Sequence, residues 1–233
     1  MTRPTLGVLG GMGTQATAYC YELLHSMQSV DAEQEYLDVI VYSMPSTPDR
    51  TAFITGRSDA SPLASLLYAA KTLEAAGASC IAMPCITSHF FYGELAEAVS
   101  IPILNIPKET AAFIAASGFD KIGLLATDGT ICGRLFHGAL EKSDIGIIVP
   151  SQDIQRGLME VIYDVKRGRN VGEGALDAII EGLLGNGAQS VVLGCTELCL
   201  LAKQSPNCIN TMEVLVRASL RCCDAAASVE CRV

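Results

Sequence analysis

Cys85 and Cys195 stand at matching places, in Pro84-Cys85-Ile86-Thr87 and Gly194-Cys195-Thr196-Glu197, each just after a short apolar run and just before a helical pattern. In parallel α/β units the carboxyl ends of the strands line the ligand crevice. A helix N-terminus there lowers the pKa of a thiol by favouring the thiolate, and sulfur in either protonation state is a competent acid or base. Two such thiols aimed at opposite faces of one carbon can exchange its proton: one removes an α-hydrogen and the other delivers a proton to the opposite face. That is the geometry of a two-base racemisation, and it needs no cofactor. The other eight cysteines, Cys20, Cys80, Cys132, Cys199, Cys208, Cys222, Cys223 and Cys231, read as small, mostly buried hydrophobes. With no Cys-x-x-Cys pair and no signal peptide, free thiols are expected rather than a disulfide framework.

The elements that must place these thiols occur twice. Thr5 to Leu9 read as a strand entering Gly10-Gly11-Met12-Gly13-Thr14, and Lys121 to Leu125 as a strand entering Ala126-Thr127-Asp128-Gly129-Thr130. Leu63 to Ala76 read as a helix, followed by Gly77 and the strand Cys80 to Met83; Ala175 to Leu184 repeat the pattern through Gly187 and the strand Val191 to Leu193. Gly77 precedes Cys85 by eight positions, and Gly187 precedes Cys195 by eight. Leu37 to Tyr42 and Ile145 to Val149 supply second strands, with Pro102 to Ile106 and Cys208 to Asn210 as strands after the cysteine segments. The alternation predicts an α/β fold of two pseudo-symmetric parallel-sheet lobes with the active site in the cleft between them. No Pro/Gly/Ser-rich linker or low-complexity segment separates the lobes.

Composition excludes several classes. Half of the 233 residues are hydrophobic and 18% are charged, which is globular rather than disordered. A formal charge of -9 argues against nucleic acid and against anionic membrane surfaces. No apolar run reaches the roughly 18 to 20 residues of a membrane span, which predicts a soluble protein, and the lack of a signal-peptide pattern makes the reading a cytoplasmic one. His25, His89 and His137 lack metal-ligand spacing, so no metal is expected. His89, four residues after Cys85, is a candidate for tuning that thiol. Gly11-x-Gly13-x-x-Ala16 has the look of a dinucleotide fingerprint, but the second strand ends at Tyr42-Ser43 without the acid a ribose requires. None of the six lysines sits in a pyridoxal-phosphate context.

Gly10-Gly11-Met12-Gly13, Pro48-Asp49-Arg50-Thr51, Pro84-Cys85-x-Thr87-x-His89, Gly123 to Thr130, Ile162-Tyr163-x-Val165-Lys166-x-Gly168 and Gly194-Cys195-Thr196-Glu197 span most of the chain in order. Together they resemble the aspartate/glutamate racemase family. The aspartate branch is the nearer one, because Glu197 stands where glutamate racemases carry His. The resemblance implies a cofactor-independent enzyme, usually a homodimer, acting on a small acidic amino acid. In such an enzyme Cys195 works on the α-hydrogen of the L-isomer and Cys85 on that of the D-isomer. Arg50 and Lys166 match the family's carboxylate-gripping cations; Arg offers a bidentate fork and Lys a mobile point charge. Met12, Gly13, Thr14, Thr87, Thr127, Thr130 and Thr196 are candidates to hold the α-carboxylate through amides and hydroxyls. Ile86 replaces the family's Asn, exchanging an amide for an apolar wall. The resemblance divides the chain into residues 1-103 plus 209-233 as one lobe and 104-208 as the other. Aspartate racemisation is thus the expected activity. Glutamate or broad acidic amino-acid racemisation, a decarboxylase or hydantoin racemase using the same thiols, and a non-catalytic acidic amino-acid sensor are the alternatives.

Overall fold

The computed structural model describes residues 4–141, 144–172, 174–202 and 205–223. Strands β1 (Thr5–Gly10), β2 (Asp38–Ser43) and β3 (Cys80–Ala82) form a parallel sheet in the order β2-β1-β3. Strands β4 (Lys121–Ala126), β5 (Gly146–Ile148), β6 (Ser190–Gly194) and β7 (Cys208–Asn210) form a second parallel sheet in the order β5-β4-β6-β7. An isolated parallel bridge from Ile81 to Ile103 stands where β7 stands in the second sheet. The two orders are therefore the same, as the sequence repeat requires. Central strands β1, β4 and β6 are almost wholly buried, matching the continuous apolar runs of a sheet covered on both faces.

The helices are α1 (Thr14–Ser26), α2 (Arg50–Ile54), α3 (Leu63–Ala75), α4 (Tyr92–Ala98), α5 (Ile106–Ala116), α6 (Asp128–Cys132), α7 (His137–Leu140), α8 (Gln152–Lys166), α9 (Asp177–Gly185), α10 (Leu198–Leu201) and α11 (Thr211–Cys222). In α8 the buried Leu158, Met159, Ile162 and Val165 recur at helical spacing, and that stripe fixes which way its last residue, Lys166, faces. Asn105 caps α5 by accepting from the Lys108 amide, and Asn210 caps α11 by accepting from the Met212 and Glu213 amides. These helices exchange lobes: α5 leaves the first lobe and packs on α7, whereas α11 leaves β7 and packs on α1 and β3. They also pack on each other, tying the halves together. At the end of α11 the Cys223 sulfur lies 3.4 Å from that of Cys80 on β3.

One sequence expectation is corrected. Pro102 to Ile106 is not a strand: only Ile103 bridges, because the Asn105 cap and Pro107 in the first helical turn start α5 at Ile106. Cys132 on short α6 and Cys222 on the last turn of α11 are exposed, and Cys208 is half-buried, whereas Cys20, Cys80, Cys199 and Cys223 are buried. Cys231 lies outside the described residues. Among the described residues, no helix is long and apolar enough to cross a membrane.

Candidate active site

After β3 the chain turns sharply, with the Cys85 amide donating to the Met83 carbonyl at 2.7 Å, and enters a 3-10 helix, Thr87–Phe91. Cys85 is only 4% exposed. The Ser88 hydroxyl donates to its sulfur at 3.1 Å and also lies 3.2 Å from the Met12 sulfur. His89 does not reach the thiol. Its Nδ1 lies 3.0 Å from the Cys85 carbonyl and 3.2 Å from that of Ile86, and its Nε2 lies 3.2 Å from both the Ile106 amide and the Leu104 carbonyl; two carbonyls at Nδ1 and an amide donor at Nε2 favour the proton on Nδ1. Burial holds the His89 pKa below its ordinary value, so the ring serves as a neutral clamp on the turn. The expectation that His89 tunes the sulfur directly is replaced by that backbone role.

Cys195 follows β6 and is likewise 4% exposed. Its thiol donates to Glu197 Oε2 at 2.9 Å. Glu197, only 2% exposed, accepts on Oε1 from the Gly13 amide at 3.1 Å and from Lys166 Nζ at 3.1 Å. Burial first, and the adjoining Glu197 carboxylate second, push the Cys195 pKa well above its ordinary value, with Lys166 opposing them. The expectation that a helix N-terminus would lower this thiol is overturned. The following helix, α10, has four residues, too few to outweigh burial and a contacting carboxylate. Burial alone would lower the Lys166 pKa, but Glu197 and both sulfurs outweigh it, so Lys166 is held firmly as an ammonium.

The lobes meet at this point. Thr196 Oγ1 donates to the Pro84 carbonyl at 3.1 Å, joining the residue after one cysteine to the residue before the other. The Met12 carbonyl accepts from Lys166 Nζ at 3.3 Å and from Arg50 Nη2 at 3.2 Å, so the two cations converge on one atom from opposite lobes. Arg50 is 8% exposed; its Nη1 donates to the Thr47 and Pro48 carbonyls, while Nε is buried without a partner. The hydroxyls of Thr87, Thr127 and Thr130 form a triangle across the seam with edges of 2.9, 3.1 and 3.0 Å. At the rim, Tyr163 donates to Asp49 Oδ2 at 2.9 Å. Burial would raise the Asp49 pKa, but the Ala52 amide and the Tyr163 hydroxyl lower it overall. A cavity of about 470 Å³ opens beside that bridge, bounded by Arg57 of the first lobe and Tyr163, Arg167 and Arg169 of the second, while the thiols lie buried elsewhere.

Of the residues singled out in the sequence, Met12, Gly13, Arg50, Cys85, Thr87, Thr127, Thr130, Lys166, Cys195 and Thr196 are brought into this hydrogen-bonded seam. Thr14 is exposed at the start of α1 and takes no part in these contacts, and Ile86, 2% exposed, packs into the apolar core. Sequence reasoning missed Ser88, and it treated Glu197 only as a departure from a signature. The available signal was a carboxylate within a run that is otherwise uncharged, Ser190 to Leu201: a buried charge needs partners, and a lysine had already been singled out.

Comparison with known proteins identifies the family. Residues 9–219 match the Asp/Glu/hydantoin racemase family. The broad specificity amino-acid racemase RacX of Bacillus subtilis (strain 168) is 26% identical over 204 residues, covering 83% of this chain and 85% of that protein. The structure of Picrophilus torridus aspartate racemase superposes with a TM-score of 0.86 at 28% identity, covering 97% of this chain and 96% of that one. An aspartate racemase homologue from Pyrococcus horikoshii OT3 gives a TM-score of 0.75 at 25% identity, over 96% of this chain and all of that one. The protein is a racemase, and the chain belongs to the Asp/Glu/hydantoin racemase family.

Proposed function

We propose that the protein interconverts L- and D-aspartate by two-base proton transfer between Cys85 and Cys195, without a cofactor. The observation that carries this reading is the junction itself. Symmetry-related cysteine turns abut through Thr196 and Pro84, and Lys166 lies within electrostatic reach of both sulfurs. One sulfur takes the α-hydrogen, leaving the electron pair on the α-carbon and its carboxylate; the other gives a proton to the opposite face. Arg50 and Lys166 suit the two carboxylates of aspartate. The orphan Arg50 Nε supports this, because a buried donor without a partner costs about 1 to 3 kcal/mol that a carboxylate oxygen would recover. The hydroxyls of the threonine triangle offer preorganised donors for charge developing on the α-carboxylate.

A second reading, glutamate or several amino acids as substrate, is favoured by Ile86, whose buried apolar side chain makes no hydrogen bond to a substrate, and by the relative named for broad specificity. The test is α-proton exchange in deuterium oxide, followed by NMR, for both enantiomers of aspartate and glutamate with no added cofactor. Exchange and interconversion of both aspartates sustain the proposal, and the glutamate-to-aspartate ratio decides between the two readings of the substrate. Binding of an acidic amino acid without exchange overturns it in favour of a sensor.

A further inference from the structure

The two thiols have different neighbours, a carboxylate at Cys195 and a hydroxyl at Cys85. We propose that Glu197 is a positioning residue that holds the Cys195 proton on sulfur and aims it, so that Cys195 enters the cycle as the acid. This rests on the two-thiol reading above and deepens it.

The argument is geometric. Cys195 Sγ lies 2.9 Å from Glu197 Oε2, with sulfur as donor, and the other carboxylate oxygen is occupied by Lys166 and by the Gly13 amide. The carboxylate therefore cannot swing away without breaking an ion pair and an inter-lobe hydrogen bond. A thiolate at Cys195 would face that carboxylate inside a buried site, where repulsion is poorly screened. Other charged or titratable groups around Cys195 do not cancel it. Lys166, on α8, is the opposing charge and is already paired with Glu197; Arg50, beyond it, spends both Nη groups on three carbonyls; Cys199, on α10, spends its S–H on backbone carbonyls. Across the seam, Cys85 has no carboxylate against its sulfur and instead receives the Ser88 hydroxyl hydrogen.

In the turnover this arrangement favours, the Cα–H bond breaks and an S–H bond forms at Cys85. The Cys195 S–H bond then breaks, its electrons stay on sulfur, and a new Cα–H bond forms on the opposite face. Cys195 must regain a proton and Cys85 must lose one before the same enantiomer can react again. Solvent carries that exchange, so no co-reactant is consumed. The opposite enantiomer needs the opposite distribution of the single proton.

Because the competent site holds one proton over two sulfurs, kcat/KM for racemisation is bell-shaped in pH, and its alkaline limb reports loss of the more tightly held proton. Glu197→Gln keeps an acceptor for the Gly13 amide, removes the negative charge from Cys195 and leaves Lys166 uncompensated beside it. Both changes favour the thiolate. The expected result is an alkaline limb moved down by about 1 to 3 pH units, with Glu197→Asp restoring the limb towards its original place. A Glu197→Gln protein that loses activity with both limbs unmoved overturns the proposal and leaves Glu197 a packing residue. If that variant does not fold, the pH dependence of iodoacetamide alkylation at Cys195 in the unaltered protein decides. Onset at Cys195 above that at Cys85, which is equally buried, supports the proposal, and equal onsets at the two thiols overturn it. Failure of the underlying reading is distinguishable, since the unaltered protein would then exchange no α-hydrogen at all.

Discussion

The turn that follows Cys85 and the turn that follows Cys195 are built on one plan and filled with different chemistry. Four residues on from each cysteine, a side chain holds the cysteine's own carbonyl: His89 Nδ1 at 3.0 Å in the first turn, the Cys199 sulfur at 3.8 Å in the second. Two residues on, each turn sends a side chain to the opposite lobe's glycine loop. Thr87 packs on Gly129 and bonds Thr127 and Thr130, while Glu197 accepts from the Gly13 amide. Only the second of these carries charge, and only that turn has an acid touching its sulfur. Duplication supplied two similar scaffolds, and the difference between Thr87 and Glu197 gives each thiol its own surroundings.

The strongest way to break this comparison is to remove one thiol at a time. Cys85→Ala and Cys195→Ala should each lower racemisation by about 10²- to 10⁴-fold, the usual weight of a positioned acid or base. Each should retain α-hydrogen exchange with only the enantiomer its remaining thiol faces, so the pair of variants also fixes handedness. Full racemisation by a double variant would remove the cysteines from the chemistry. A smaller effect is expected at Arg50. With Arg50→Gln, KM for aspartate should rise about 10- to 100-fold, the weight of a charged hydrogen-bonding partner, while alanine exchange changes far less. Equal losses for both would show that Arg50 only braces the Met12 carbonyl.

Most of the scaffold was legible in the sequence because it rests on local patterns. The apolar runs at Thr5 and Lys121, the glycines eight residues before each cysteine and the helical spacing in Leu63 to Ala76 all depend on neighbours in the chain, and the observed elements agree to within one or two residues. Pro102 to Ile106 was misread because an Asn cap followed by Ile-Pro looks like the end of a strand until the helix is seen. The meeting of Met12, Arg50 and Lys166 was indicated by family likeness, not by spacing. Glu197 was missed for a physical reason: its meaning lies in a lysine and an amide from other elements, with Gly13 184 positions away. The direction in which the Cys195 pKa moves has the same origin. A helix start is visible in sequence, whereas burial beside a carboxylate is not.

The glycine loops sharpen the comparison at the level of stability. A Cβ at Gly129 would lie 2.9 Å from both the Thr51 Cα and the Thr87 Cγ2; a Cβ at Gly13 would lie 2.9 Å from Glu197 Oε1. Backbone cannot move aside as a side-chain end can. Gly129→Ala should therefore cost about 1 to 3 kcal/mol in urea unfolding, in the range for overpacking, and lower kcat by spreading the threonine triangle. Gly13→Ala should cost less stability and act instead through Glu197, displacing the alkaline limb of the pH profile. Equal stability losses would show that the two loops are not packed differently.

The smallest effect separates the two carbonyl clamps. His89 is buried with a lowered pKa, so in mildly acid solution the unfolded chain binds a proton that the folded chain does not. Its contribution to stability is complete above the unfolded value of about 6.5. Below that value it falls by up to about 1.4 kcal/mol per pH unit, until the folded histidine titrates as well. His89→Asn loses hydrogen bonds, about 1 to 2 kcal/mol at neutral pH, but also loses this proton linkage. The stability gap between the original protein and the variant should therefore narrow between pH 7.5 and 5.5, measured by urea unfolding. The Cys199 clamp has no such linkage across that range, since burial raises its pKa to about 11. Cys199→Ala should leave a gap that does not change with pH. A His89→Asn gap equally flat would mean that the ring is not held neutral, and the two turns would then be held by clamps of the same kind.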